Sequence, residues 1–136
     1  MSSRADTVRA SFSSDPYANA QGFELVDVND DTIVVSLTVA PDQVNFHGGT
    51  HGGVLFSLAD CAFSLASNAH GEPAVAIDTH LAITAGSDVG ETLTATAHEM
   101  TRGRSLATYR VDVVRSDGRT VALFTGTVFI QKAADR

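Results

Sequence analysis

Between Gln43 and Gly71 the chain carries a single Asp, Glu, Lys or Arg, and that residue is Asp60, set in the run Gly52-Gly53-Val54-Leu55-Phe56-Ser57-Leu58-Ala59-Asp60-Cys61-Ala62-Phe63-Ser64-Leu65-Ala66. Its length and its Ala and Leu content predict a helix from the glycines to about residue 68, with Gly71 and Pro73 as the stop. A helix apolar nearly all the way round cannot lie on a surface. A sheet must wrap one side of it, and something else must cover the other.

A solvated helix face normally carries several charges, so a lone carboxylate is either costly to bury or kept for chemistry. Ser57, Asp60, Ser64 and Ser67 are spaced by three and four, which puts them in one narrow polar stripe. The alternatives are a solvent-facing edge, disfavoured by the absence of Lys, Arg and Glu, and a structural Asp bonded to a backbone donor.

The 136 residues suffice for one domain with a continuous core and are too few for two. Nine Lys and Arg against 16 Asp and Glu give a net charge of -7, which opposes general binding to nucleic acid or anionic membranes. Cys61 is the only cysteine, so no intrachain disulfide can form. The opening Met1-Ser2-Ser3-Arg4-Ala5-Asp6 lacks the apolar core of a signal peptide, and the apolar run after Gly53 is interrupted by Asp60 and serines. A soluble cytoplasmic protein is expected.

Around the helix the chain reads as strands. Residues 23–28 and 33–39 are joined by the turn formers Asn29-Asp30-Asp31, and Ile33, Val35, Leu37 and Val39 alternate as one buried sheet face. Four more strand-like runs follow, 74–83, 92–101, 105–115 and 120–130, the last three separated by Arg102-Gly103-Arg104 and Ser116-Asp117-Gly118 as in an antiparallel meander. The order is β-β-α-β-β-β-β, an α+β chain. Residues 1–21 form a short N-terminal helical segment with Asp15-Pro16 as a cap and first position, 22–131 the main domain, and 132–136 a frayed tail.

The loop Asn45-Phe46-His47-Gly48-Gly49-Thr50-His51-Gly52-Gly53 supplies a second half of a site. Amides at a helix start lack intrahelical acceptors and lie at the positive end of the helix dipole, so those near Gly52 and Gly53 can polarise a carbonyl or hold an oxyanion. Within one helix the halves cannot meet. Eight residues at about 1.5 Å each separate Asp60 from Gly52 by roughly 12 Å, against the ~3 Å that reacting groups need. If both act on one carbonyl, Asp60 must meet the helix start of a second subunit, and two such helices packed antiparallel about a two-fold axis make two equivalent sites.

Other groups are weaker candidates. His47 and His51 are four apart, but HxxxH binds metal well on a regular helix and this stretch holds four glycines, so loop contacts are favoured and no metal is expected. Cys61 reads as a small core residue rather than a nucleophile, having no His near it in sequence. Asp78 and His80 share a strand face, more in keeping with a solvated or interface face than with a dyad. Arg102 and Arg104 flank a hairpin turn, where guanidiniums meet either solvent or phosphate.

Asn45, His51-Gly52-Gly53, Leu58-Ala59-Asp60, and the meander pieces Gly90-Glu91-Thr92-Leu93-Thr94-Ala95-Thr96-Ala97 and Val121-Ala122-Leu123-Phe124-Thr125-Gly126 resemble the hotdog-fold thioesterases of the PaaI (phenylacetic acid degradation) type. The likeness covers residues 22–130, and Asn-x6-Gly-x7-Asp straddling the start of a central helix is fairly specific. It implies an antiparallel sheet wrapped around that helix, a dimer with a continuous sheet, commonly a dimer of dimers, and hydrolysis of acyl-CoA thioesters such as phenylacetyl-CoA or hydroxyphenylacetyl-CoA. No cofactor is implied, because coenzyme A enters as part of the substrate.

Carried over by position, Asp60 is the catalytic carboxylate, as general base or nucleophile, the Gly52 N–H polarises the carbonyl, and Asn45 assists beside it. His51, Gly53, Ser57, Ser64, Arg102 and Arg104 are the substrate-binding candidates. Where some relatives carry a Ser or Thr on the strand after the helix this chain has Ala76, with Thr79 nearby, and Ile83-Thr84-Ala85-Gly86 replaces an aromatic-Leu-Arg-Pro pattern. A non-catalytic acyl-CoA-binding or sensing protein is the alternative from another class. A hotdog hydratase or dehydratase is the enzymatic one, and it would need a His paired with the acid.

Overall fold

A computed structural model describes residues 3–132. Helices α1 (Arg4–Ser13) and α2 (Pro16–Gln21) precede strands β1 (Glu24–Val28) and β2 (Thr32–Thr38), a 3-10 turn (Pro41–Gln43), the long helix α3 (Gly52–Ser67), and strands β3 (Ala74–Ile83), β4 (Thr92–Arg102), β5 (Leu106–Arg115) and β6 (Thr120–Ile130). The six strands form one antiparallel sheet in the order β1-β2-β4-β5-β6-β3. The α+β hotdog arrangement expected from the sequence is the one found.

Alternation decides which face of the sheet meets α3. Ile33, Val35 and Leu37 of β2, Leu93, Ala95 and Ala97 of β4, and Tyr109, Val111 and Val113 of β5 are all buried, with outward residues between them. Against them α3 buries Leu55, Leu58, Ala59, Ala62, Phe63 and Ala66. Phe63 sets the helix-to-sheet distance. Its ring lies on Gly126 of β6, where an added Cβ would fall 2.7 Å from Phe63 Cζ, so only glycine fits. Tyr109 and Phe124 flank that ring at 5.8 and 5.2 Å between centroids.

The end of α3 is tied to the sheet by Asn68, whose side chain bonds both the N–H and the C=O of Ala74. Among the described residues strand β3 pairs only with β6, and its other edge is open; Val75, Ile77 and Ile83 are exposed. Observed strand ends differ from the expected ones by a residue: Phe23 and Val39 lie just outside β1 and β2, although both are buried. Of the segment expected as a frayed tail only Lys132 is described, and its Nζ lies 3.1 Å from Glu72 Oε2. Residues 133–136 lie outside the described residues.

The N-terminal helices do more than precede the domain. Helix α1 packs on β1 and α3, and Arg4 shares a small cavity with Ala66 and His70 at the C-terminal end of α3. Part of the helix face that a second subunit was expected to cover is therefore covered by the chain's own helices α1 and α2.

Candidate active site

The loop before α3 is a short hairpin. Val44 and Thr50 bridge, the Asn45 N–H donates to Gly49 O at 2.8 Å, and the Asn45 Oδ1 accepts from the His47 N–H at 2.9 Å. This fixes the amide orientation of Asn45 and leaves its Nδ2 with no acceptor among the described residues. Thr50 is bolted to the far side: its Oγ1 donates to Ser87 O at 3.1 Å and accepts from Ser87 Oγ at 2.7 Å, all of it buried.

His51 is the N-cap of α3. Its backbone is extended (φ −62°, ψ 134°), its Nδ1 accepts the Gly53 N–H at 2.9 Å, and its carbonyl takes the Val54 and Leu55 amides. Among the described residues nothing accepts from the Gly52 N–H. The first turn of the helix thus offers one free donor, at the positive end of the macrodipole.

Asp60 lies two turns on, along an unbroken helix, so the separation argued from sequence stands and the two groups cannot share a carbonyl within one chain. Its carboxylate borders a cavity of about 300 Å³ lined by Asp15, Tyr17, Ala18, Phe23, Phe56, Ser57, Cys61 and Ser64. No hydrogen bond to it occurs among the described residues. Burial raises the Asp60 carboxyl above its ordinary value, and the charge of Asp15 adds to the effect. A carboxylate left without donors in a cavity is poised to take a proton or attack a carbon rather than to hold the fold.

The stripe is brought together in part. Ser57 and Ser64 share the Asp60 cavity, whereas Ser67 is 1 % exposed and donates to the Ser64 carbonyl at 3.3 Å. Ser57 Oγ donates to Gly53 O at 2.8 Å and lies 2.9 Å from Tyr17 Oη. Arg102 is elsewhere: its side chain is 15 % exposed, with Nη1 3.3 Å from Tyr109 Oη and 3.8 Å from Glu99, and Nη2 3.8 Å from Glu72. Its guanidinium is drawn inside the protein, with Nη2 buried and without a hydrogen-bond partner among the described residues, while Arg104 stands exposed in the turn.

Asp78 and His80 are exposed on β3 with no hydrogen bond between them among the described residues. Burial, then Asp15 and Asp60, push the Cys61 thiol up to about 12, which leaves it protonated and unreactive. Groups of three or more metal-ligating side chains do not occur among the described residues.

Sequence reasoning missed Asp15 and Tyr17 as site residues. Asp15 was read only as a cap, which it also is, accepting the Ala18 N–H at 3.0 Å. Nothing in the sequence ties either residue to α3, since their partners lie some 40 positions away.

A central helix held in an antiparallel sheet is the hotdog arrangement, and a free amide at the helix start with an unpaired carboxylate two turns on makes its candidate site. Residues 47–122 match the family model of the Thioesterase superfamily. The chain belongs to that superfamily, in its PaaI-type hotdog branch, and is a thioester hydrolase. It is 38 % identical to the Escherichia coli acyl-coenzyme A thioesterase PaaI over 117 residues, 86 % of this chain and 84 % of that protein. The structure of E. coli PaaI superposes with a TM-score of 0.92 at 34 % identity, covering 95 % of this chain and 94 % of that one. Human acyl-coenzyme A thioesterase 13 is 27 % identical over 101 residues, 72 % of each chain. A hypothetical thioesterase from Streptococcus pneumoniae, solved with coenzyme A, superposes with a TM-score of 0.76 at 27 % identity, covering 80 % of this chain and 88 % of that one.

Proposed function

We propose that the protein is a cytoplasmic acyl-CoA thioesterase acting on phenylacetyl-CoA or hydroxyphenylacetyl-CoA, with its site shared between two subunits. The observation that carries this reading is the pairing of an unbonded Asp60 carboxylate with an unbonded Gly52 N–H, too far apart on α3 to act together in one chain. In an antiparallel dimer each helix start meets the partner's Asp60. The open, exposed edge of β3 is where two sheets would join into one, and pairs of such dimers would give a tetramer.

In the reaction the Gly52 N–H takes the thioester carbonyl oxygen and the Asn45 Nδ2 supplies a second donor beside it. Asp60 then acts in one of two ways. As a base it takes a proton from water, whose oxygen bonds to the carbonyl carbon while the C–S bond breaks and the thiolate leaves to be protonated. As a nucleophile it bonds to that carbon itself, expels the thiolate, and water cleaves the resulting anhydride. Phe23 and Phe56 supply aromatic walls near the acid, which suits an aromatic acyl group.

Release of free thiol from phenylacetyl-CoA and a panel of acyl-CoAs tests the activity. Binding without release would favour a sensor, and water addition to an enoyl-CoA a hydratase. Single-turnover hydrolysis in heavy-oxygen water separates the two routes, since label in Asp60 supports the nucleophile and its absence removes it. For the CoA moiety, Arg104→Ala should raise the Michaelis constant several-fold; an unchanged value removes Arg104 from binding.

A further inference from the structure

Four of the nine residues that line the Asp60 cavity lie outside the matched family region. Asp15, Tyr17 and Ala18 come from the start of α2, and Phe23 from the residues that follow it. We propose that Tyr17 determines acyl specificity, its ring forming the wall that limits the size of group admitted beside Asp60. This rests on the thioesterase reading above.

Tyr17 is held rather than free. Ser57 Oγ already donates to Gly53 O, so at 2.9 Å the Tyr17 hydroxyl is the donor to Ser57 Oγ, and a chain Tyr17–Ser57–Gly53 carbonyl links α2 to the first turn of α3. The ring packs edge-on against Phe23 at 6.5 Å. Helix α2 is itself pinned by the Asp15 cap, by buried Ala18, by a left-handed Gly22 at its end and by the Gln43 amide donating to Gln21 O at 2.8 Å.

Placement makes the ring a ruler. Ser57 sits three residues before Asp60 on one helical face, so the ring bonded there walls the Ser57 side of the cavity that holds the Asp60 carboxylate. In a single subunit the cavity is about 300 Å³, the lower end for small-molecule sites, which suits a compact aromatic acyl group better than a long flexible one. Tyr17 is 55 % exposed in a single subunit, so removing its ring would open the cavity outward.

The test compares kcat/KM for phenylacetyl-CoA and decanoyl-CoA in the wild type, Tyr17→Phe and Tyr17→Ala. Tyr17→Phe keeps the wall and should hold the ratio of the two within about twofold. Tyr17→Ala should shift it toward decanoyl-CoA by at least about tenfold, roughly the discrimination that pocket contacts of this size provide. An unchanged ratio in folded Tyr17→Ala overturns the proposal; should that variant fail to fold, Tyr17→Leu carries the same comparison. Equilibrium binding of the two thioesters gives a separate Kd ratio for each protein, so a protein that binds without hydrolysing would refute the thioesterase reading and still decide the role of Tyr17.

Discussion

His51 Nδ1 accepts the Gly53 N–H at 2.9 Å, and by doing so it leaves the neighbouring Gly52 N–H as the free donor of the first turn of α3. One histidine thus both caps the helix and decides which amide of the first turn is left free.

From this, His51→Ala should cost about 1 kcal/mol of stability, the usual worth of an N-cap. Turnover should fall about tenfold as the first turn loses its fixed geometry. His51→Asn, a strong capping residue, should recover the stability. Urea unfolding run beside thioester hydrolysis checks both, and full activity in His51→Ala would deny the cap any part in the site.

The Asp60 carboxyl is raised by burial first and by Asp15 second. A carboxyl whose folded value lies above its unfolded one favours the folded state while protonated, and that contribution is lost as pH rises through the folded value. Asp60→Asn should therefore stabilise the protein near pH 7, by roughly 1 kcal/mol for a group left without donors. The gain should vanish below about pH 4, where the wild-type acid is protonated too. Thermal melts at the two pH values read the difference, with turnover lost by orders of magnitude.

If Asp60 must be ionised to act, kcat/KM rises with pH through a limb lying above the ordinary carboxylate range. Asp15→Asn removes a charge and keeps an N-cap residue, so it should move that limb to lower pH without unfolding α2. A pH–rate profile that does not move would show that Asp15 exerts no field on Asp60.

Cys61 lines the same cavity, yet its thiol is pushed up to about 12. At pH 8 its thiolate fraction falls roughly three orders of magnitude below that of a free cysteine. Alkylation of native protein by iodoacetamide should be slower in proportion, and Cys61→Ala should retain near-normal turnover. Rapid labelling with loss of activity would reopen Cys61 as a reactive group.

The helix and sheet were legible because burial imposes a period: Ile33, Val35 and Leu37 alternate, and α3 is apolar around most of its girth. The separation of Asp60 from Gly52 was legible for the same reason, since helix rise is fixed. What could not be read depends on contacts between distant segments. Val8 and Ala18 are the buried residues of α1 and α2, too thin a pattern to announce that these helices cover α3. Arg102 looked like a turn cation because nothing in the sequence pairs it with Glu99, Glu72 and Tyr109. Ser67 fits the polar stripe by spacing and is nevertheless closed over at the helix end.

A shared site is tested most directly by complementation. Asp60→Asn removes the acid, and Gly52→Pro replaces the amide hydrogen with the ring: proline suits the first helical position, His51 already has the extended backbone that precedes proline, and the added Cβ would meet Ile83 Cδ1 at 3.2 Å, the end of a flexible side chain. Each variant alone should be inactive. Refolded together in equal amounts, half of the dimers would be mixed, each with one intact site of two, so about a quarter of wild-type activity should return. No recovery from a mixture shown to contain mixed dimers would contradict the shared site and return Asp60 and Gly52 to separate roles.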